Sequence, residues 1–294
     1  MAREPRYSDG MVEGLQESDA WLAVSRYDGV EERRMIDDQI TVVIPTSPIP
    51  DHPSTVIIEK TIQSIRFHLP ESQIIVMADG VRPQVEHRRA QYEEYIQRLA
   101  DKLARMEFGN TCMPIFTEPT QQAMMLKRVL ESMIETPLVL FIEHDTYLPT
   151  TWSPRDDGST HPEDCTFAWQ DIADVIMSGQ VNMVRFYLWQ QIWHEHEHLM
   201  HGKLIQGNST FVKTTQYSQW PNVGSADFYR KILSEHFHPN ERKMIEIGMY
   251  GPVANAPWEQ YRIAIYYPEP NARRFYHMNG RVDTVTGIRD PAEW

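Results

Sequence analysis

Two stretches of the chain hold acids and histidines at spacings that could do chemistry. Residues 137–150, TPLVLFIEHDTYLP, run apolar from Leu138 to Ile142 and then turn to Glu143, His144 and Asp145. Carboxylates at a strand's end can hold Mg²⁺ or Mn²⁺ through oxygen and leave positions open for a diphosphate. The second stretch, HEHEH at 194–198, satisfies the HExxH pattern of zinc hydrolases. That chemistry needs a helix, so that His194 and His198 bind one ion while Glu195 activates its water. The preceding VNMVRFYLWQQIW reads as strand, Gly202 soon follows, and no acid lies between His198 and Asp227. HEHEH therefore reads as a polar loop, with a zinc-dependent hydrolase kept as an alternative.

The elements that must position the first stretch are legible from periodicity. ITVVIP from Ile40 is a β-branched run closed by Pro45, a buried strand. Ser54 can cap a helix with Ile58, Ile62, Ile65 and Leu69 on one face. QIIVMADG is a second strand ending at Asp79 and Gly80. Pro83 can start a long helix with Tyr92, Ile96, Leu99, Leu103 and Met106 on one stripe, closed by Gly109. MPIFTEP offers a third, weaker strand. Thr120 can cap a helix carrying Ala123, Leu126, Leu130 and Met133, and LVLFI is the fourth strand. Strands alternating with amphipathic helices predict an α/β domain with a mostly parallel sheet, whose ligands bind beyond the strands' carboxyl ends. Pro45-Thr46, Asp79-Gly80 and Glu143-His144-Asp145 then face one crevice. Beyond it the pattern loosens: a helix is expected around Trp169, Ile172 and Ile176, a strand at MVRFYL, short strands over 203–223, and helix over 225–248.

Composition narrows the class. The 294 residues are 41% hydrophobic and 11% aromatic, enough for a full core. A formal net charge of −13 disfavours nonspecific binding to nucleic acid or anionic membranes. Two cysteines are too few for a disulfide framework, and the start MAREPRYSDG lacks a signal-peptide core. No run reaches the roughly 20 apolar residues that a membrane span needs. A cytoplasmic protein is expected, with an N-terminal extension over 1–38 and a single domain over 39–294. No Gly-x-Gly-x-x-Gly or Gly-Lys-Ser/Thr motif occurs, which disfavours dinucleotide and P-loop sites.

Residues 40–150 resemble the nucleotide-sugar half of GT-A-fold glycosyltransferases of the family-2-like group. Members open with a strand and a Pro-Thr turn, as in VVIPTS; they end the second strand in an acid, as in VMADG; and they carry Asp-x-Asp after an apolar run, as in LFIEHD. Glu143 stands where the first Asp is usual. The resemblance implies a GT-A-like, Rossmann-type mixed sheet flanked by helices. It implies that Asp145 binds Mn²⁺ or Mg²⁺, with His277 in RRFYHMNGR as a second ligand. Pro45, Thr46, Asp79, Gly80 and Glu143 would meet the nucleotide-sugar donor. The family's acidic general base is matched best by Glu259 in APWEQYR, with Gln260 where Asp is frequent.

The expected function is a metal-dependent transfer of a sugar from a nucleotide-sugar, a UDP-sugar first, to an acceptor hydroxyl, with inversion. The acceptor is left open among glycan, protein, lipid and modified nucleic acid. Lys127 and Arg281 are candidates to neutralise phosphate. A noncatalytic nucleotide- or glycan-binding protein is the other alternative. A nucleotidyltransferase would share the sheet and metal logic, but TSPIPDHP lacks the Gly- and Lys/Arg-rich first loop expected of one.

Overall fold

A computed structural model of the chain describes residues 36–151, 166–188, 191–238, 241, 243–268 and 272–278. The β-branched run forms β1 (Ile40–Thr46), buried throughout. Its stiff side chains favour extended backbone and pack on both faces of a parallel sheet. β2 (Ile74–Ala78) and β4 (Leu138–Phe141) flank it in parallel, with Val42 opposite both Ile74 and Leu140. α1 (Val56–His68) turns Ile58, Ile62 and Ile65 into the core, each contributing roughly 1.5–3 kcal/mol by burial. Ser54 Oγ accepts from Val56 N at 3.3 Å, but the residue at the cap is Thr55, whose hydroxyl goes to Glu59 instead.

Three local expectations shift. Pro83 starts a 3₁₀ turn over Pro83–Arg88, and α2 (Arg89–Ala104) follows a kink at Val85. Met106 leaves the apolar stripe, with φ of 58° and an exposed side chain. The third strand is β3 (Thr111–Cys112), earlier than MPIFTEP, and that segment keeps only a single bridge, Ala78 to Ile115. An edge strand has one partner, and Pro114 removes a donor where the ladder would continue.

α3 (Gln121–Ser132) covers the opposite face with Ala123, Leu126 and Leu130. The later elements are β5 (Thr146–Tyr147), α4 (Trp169–Met177), β6 (Met183–Arg185), β7 (Met200–Gln206) and β8 (Ser209–Thr214). After them come β9 (Asn222–Ser225), α5 (Ala226–His236), α6 (Ile245–Ala254), α7 (Trp258–Tyr261), β10 (Ile263–Tyr266) and β11 (Tyr276–His277). The helical stretch expected over 225–248 is thus two helices. Among the described residues the main sheet has nine strands in the order β3-β2-β1-β4-β9-β6-β10-β8-β7. The fold is the expected mixed sheet flanked by helices. One face packs Val42, Ile44 and Leu140 with α1, α2 and α4; the other packs Val43, Phe141 and Met183 with α3, α5 and α6.

Strand direction decides what can meet. β9 runs antiparallel to both β4 and β6, so β6 runs with β4, and β10 pairs parallel with β6. The carboxyl ends of β1, β2, β4, β6 and β10 therefore share one edge, and Phe141, Asn222, Arg185 and Ile265 form one row across it. Among the described residues, no helix is long and apolar enough to cross a membrane.

Candidate metal centre

The chain turns after β4 and returns as β5, which pairs antiparallel with β11 and sets His277 opposite Thr146. This small ladder joins segments far apart in sequence: His277 Nε2 lies 3.4 Å from Asp145 Oδ2, and Met278 N donates to Asp145 O at 2.8 Å. Glu143, Asp145 and His277 each offer a ligand atom, all within 4.8 Å of one another. Glu143, expected as a donor contact, belongs to this group.

Electrostatics show how crowded the group is. Burial, together with the Asp145 charge, pushes the Glu143 carboxyl up to about 7. Burial alone would also raise Asp145, but the His277 hydrogen bond and the charges of His144 and His277 outweigh it, holding Asp145 below the usual carboxylate range. Two close carboxylates with an imidazole can neutralise a divalent cation, and their oxygens suit Mn²⁺ or Mg²⁺. The residues fit such an ion.

The surroundings fix this geometry. Gln122 Nε2 donates to Glu143 Oε1 at 2.9 Å, and Thr61 Oγ1 donates to His144 O at 2.8 Å. His144 Nδ1 lies 3.2 Å from Pro45 O, tying the strand end to β1. Beside the cluster opens a cleft lined by Pro45, Thr46, Asp79, Arg82, Gln121, Gln122 and the three residues Glu143, His144 and Asp145, with Met244 at its side.

Asp79 and Gly80 carry structural duties here. Asp79 accepts from Gly80 N, Thr120 N and Gln121 N at 2.9, 2.7 and 3.2 Å, capping α3 in place of the expected Thr120 hydroxyl. Burial raises its pKa while these donors work against that rise. A Cβ on Gly80 would lie 2.4 Å from the Glu118 carbonyl carbon, so glycine is required for this close approach. Among the described residues the cation lining the cleft is Arg82, which periodicity could not single out; Lys127 sits farther along α3 and is not among the lining residues. Arg281 lies outside the described residues.

Glu259 is not brought to the site. It is exposed in α7, just before β10. β10 starts level with Val139, and Arg262 Nη1 donates to Gly179 O ahead of β6, which places Glu259 at the opposite edge of the sheet from Asp145. Its match to the base motif was local, whereas strand direction is set by the whole sheet. The HEHEH segment forms a 3₁₀ turn over His194–Leu199, with the His194 side chain 96% exposed and its Nδ1 3.0 Å from Glu197. A 3₁₀ turn has three residues per turn, so positions i and i+4 do not share a face as HExxH requires. Among the described residues, the only three-ligand group is Glu143, Asp145 and His277.

No protein-family profile matches the chain, and no curated protein does. In fold it is similar to several solved structures. TarS 1–349 of S. aureus shares 12% identity at a TM-score of 0.47, over 81% of this chain and 60% of that one. GalNAc-T7, solved with UDP, GalNAc and Mn²⁺, shares 9% at 0.49, over 86% of this chain and 45% of that one. A UDP-glucose pyrophosphorylase complexed with UDP-glucose shares 12% at 0.42, over 83% and 95%. The chain thus spans about three fifths of the TarS fragment. These likenesses concern fold alone, so function has to be argued from the site.

Proposed function

We propose that the chain is a metal-dependent glycosyltransferase that moves a sugar from a nucleotide-sugar, a UDP-sugar first, to an acceptor hydroxyl with inversion. The observation that carries this reading is the convergence of Glu143, Asp145 and His277 at the carboxyl edge of a parallel half-sheet, beside an open cleft. A divalent cation held there would offset the charge that develops on the departing diphosphate. Arg82 and the Pro45-Thr46 turn bound the cleft where the nucleotide would lie. Gln122 holds Glu143 in place, and His277 does so for Asp145.

Inversion calls for a general base to take the acceptor's proton. With Glu259 on the far edge, Glu246 at the start of α6 fills that role in our reading, because it follows the cleft-lining Met244 by two residues. The hydrolase alternative loses its support with the 3₁₀ geometry of 194–199.

The test is nucleoside diphosphate release from UDP-, GDP- and TDP-sugars, with and without Mn²⁺, in wild type and Asp145→Ala. Release with one base that requires Mn²⁺ and vanishes in the variant supports the transferase. Metal-dependent nucleotide binding without any turnover would leave a noncatalytic binding protein.

A further inference from the structure

Arg185, at the carboxyl end of β6, is completely buried. Its Nη1 donates to Gln216 O and lies 3.5 Å from Gln216 Oε1, yet among the described residues its Nε and Nη2 have no hydrogen-bond partner. These two nitrogens form one edge of the guanidinium, the edge that binds two oxygens of a carboxylate or phosphate side by side. Leaving buried donors of a charged group unpaired is costly, and burial indeed lowers the Arg185 pKa to about 10. Among the described residues no carboxylate forms an ion pair with it; the charge of Glu246 acts on it from beyond pairing distance.

Arg185 lies in one row with Phe141, two strands across, or about 10 Å at usual strand spacing. Its neighbours Val184 and Phe186 belong to the α1/α2/α4 face, so Arg185 points to the α3/α6 face, the one from which Gln122 reaches Glu143. Gln216 and Trp220 lie against it, with the Gln216 amide 3.3 Å from His196. His196 and Trp220 are both partly exposed, so the side chains against Arg185 reach the surface.

We infer that the Nε/Nη2 edge of Arg185, with Gln216 beside it, is an anion subsite next to the metal centre that receives a carboxylate or phosphate group carried by a substrate. The inference deepens the transferase reading and rests on it.

The experiment measures the thermal shift of wild type, Arg185→Met, Arg185→Lys and Asp145→Ala with inorganic phosphate and with glucuronate, without divalent metal. Each anion is expected to stabilise wild type and Asp145→Ala alike. Binding should weaken at least about tenfold in Arg185→Met and partly in Arg185→Lys, which keeps the charge but loses the fork. Ligand-free Arg185→Met should melt no lower than wild type, because a buried, half-paired charge has been removed. If that variant does not fold, Arg185→Lys alone decides. No shift in wild type, or an equal shift in the Arg185 variants, overturns the subsite. Phosphate or glucuronate that still binds protein saturated with UDP and Mn²⁺ assigns the anion to the acceptor. A UDP-glucuronate shift exceeding that of UDP-glucose only in proteins keeping Arg185 assigns it to the donor sugar. Loss of the UDP–Mn²⁺ response in wild type, with anion binding intact, would sink the transferase reading alone.

Discussion

Residues 143–145 and 194–198 are built from the same side chains, acids and histidines, and the protein treats them oppositely. Glu143 and Asp145 follow a buried strand, are held by Gln122 and His277, and share their space with a third ligand from near the end of the described chain. HEHEH is a short, largely exposed 3₁₀ segment whose His194, among the described residues, pairs with its own neighbour Glu197. Local spacing favoured HEHEH as a motif. Burial and convergence from distant segments favour the other, because only a desolvated group of ligands held by the fold is organised before an ion arrives.

The largest contrast should come from deleting one residue of each region. Asp145→Ala is expected to weaken Mn²⁺ binding by at least about 100-fold, since loss of a mere supporting partner already costs 10–100-fold. His277→Ala, which removes the link across β5 and β11, should cost about 10–100-fold in the same titration. Equal loss from His194→Ala would erase the distinction between the two regions.

A pH series sharpens it. Glu143 has a folded pKa near 7, raised above its ordinary value of 4.5, so between these pH values the folded state holds a proton that the unfolded state has released. Metal-free stability should therefore fall as pH rises from about 4.5 to 7, and Glu143→Gln should flatten that fall in thermal melts. Mn²⁺ affinity should move the other way, rising through pH 7 as Glu143 gives up its proton, because ligands must be deprotonated. A pH-independent Mn²⁺ affinity between 6 and 8 would remove Glu143 from the ligand set.

The smallest effects belong to the exposed positions. His194→Ala and Glu259→Gln should each change stability by less than about 0.5 kcal/mol and leave nucleotide–Mn²⁺ binding unaltered. A large loss of turnover in Glu259→Gln would restore the base role that strand direction denies it.

How much was legible follows the same contrast. β1, β2, β4, α1 and α3 were readable because β-branched runs and 3.6-residue stripes are local signals, and the edge that gathers Asp145 followed from parallel strands. β3 was misplaced because an edge strand with two paired residues leaves almost no pattern. The antiparallel insertion of β9 between β4 and β6 was hidden in NVGS, a short stretch whose pairing depends on partners elsewhere. His277 was found by resemblance, but its contact with Asp145 depends on a two-residue ladder that no periodicity announces. Nothing in the local sequence singles out Arg82 or Arg185, and only their surroundings distinguish them.

The central claim is that Glu143, Asp145 and His277 together hold a divalent cation against a nucleotide diphosphate. The most direct measurement is the thermal shift of wild type and Asp145→Ala with UDP, GDP and TDP, each with and without Mn²⁺. The account expects one nucleotide to stabilise wild type only when Mn²⁺ is present, and the variant not at all. A nucleotide shift that ignores Mn²⁺ or survives in Asp145→Ala would contradict it.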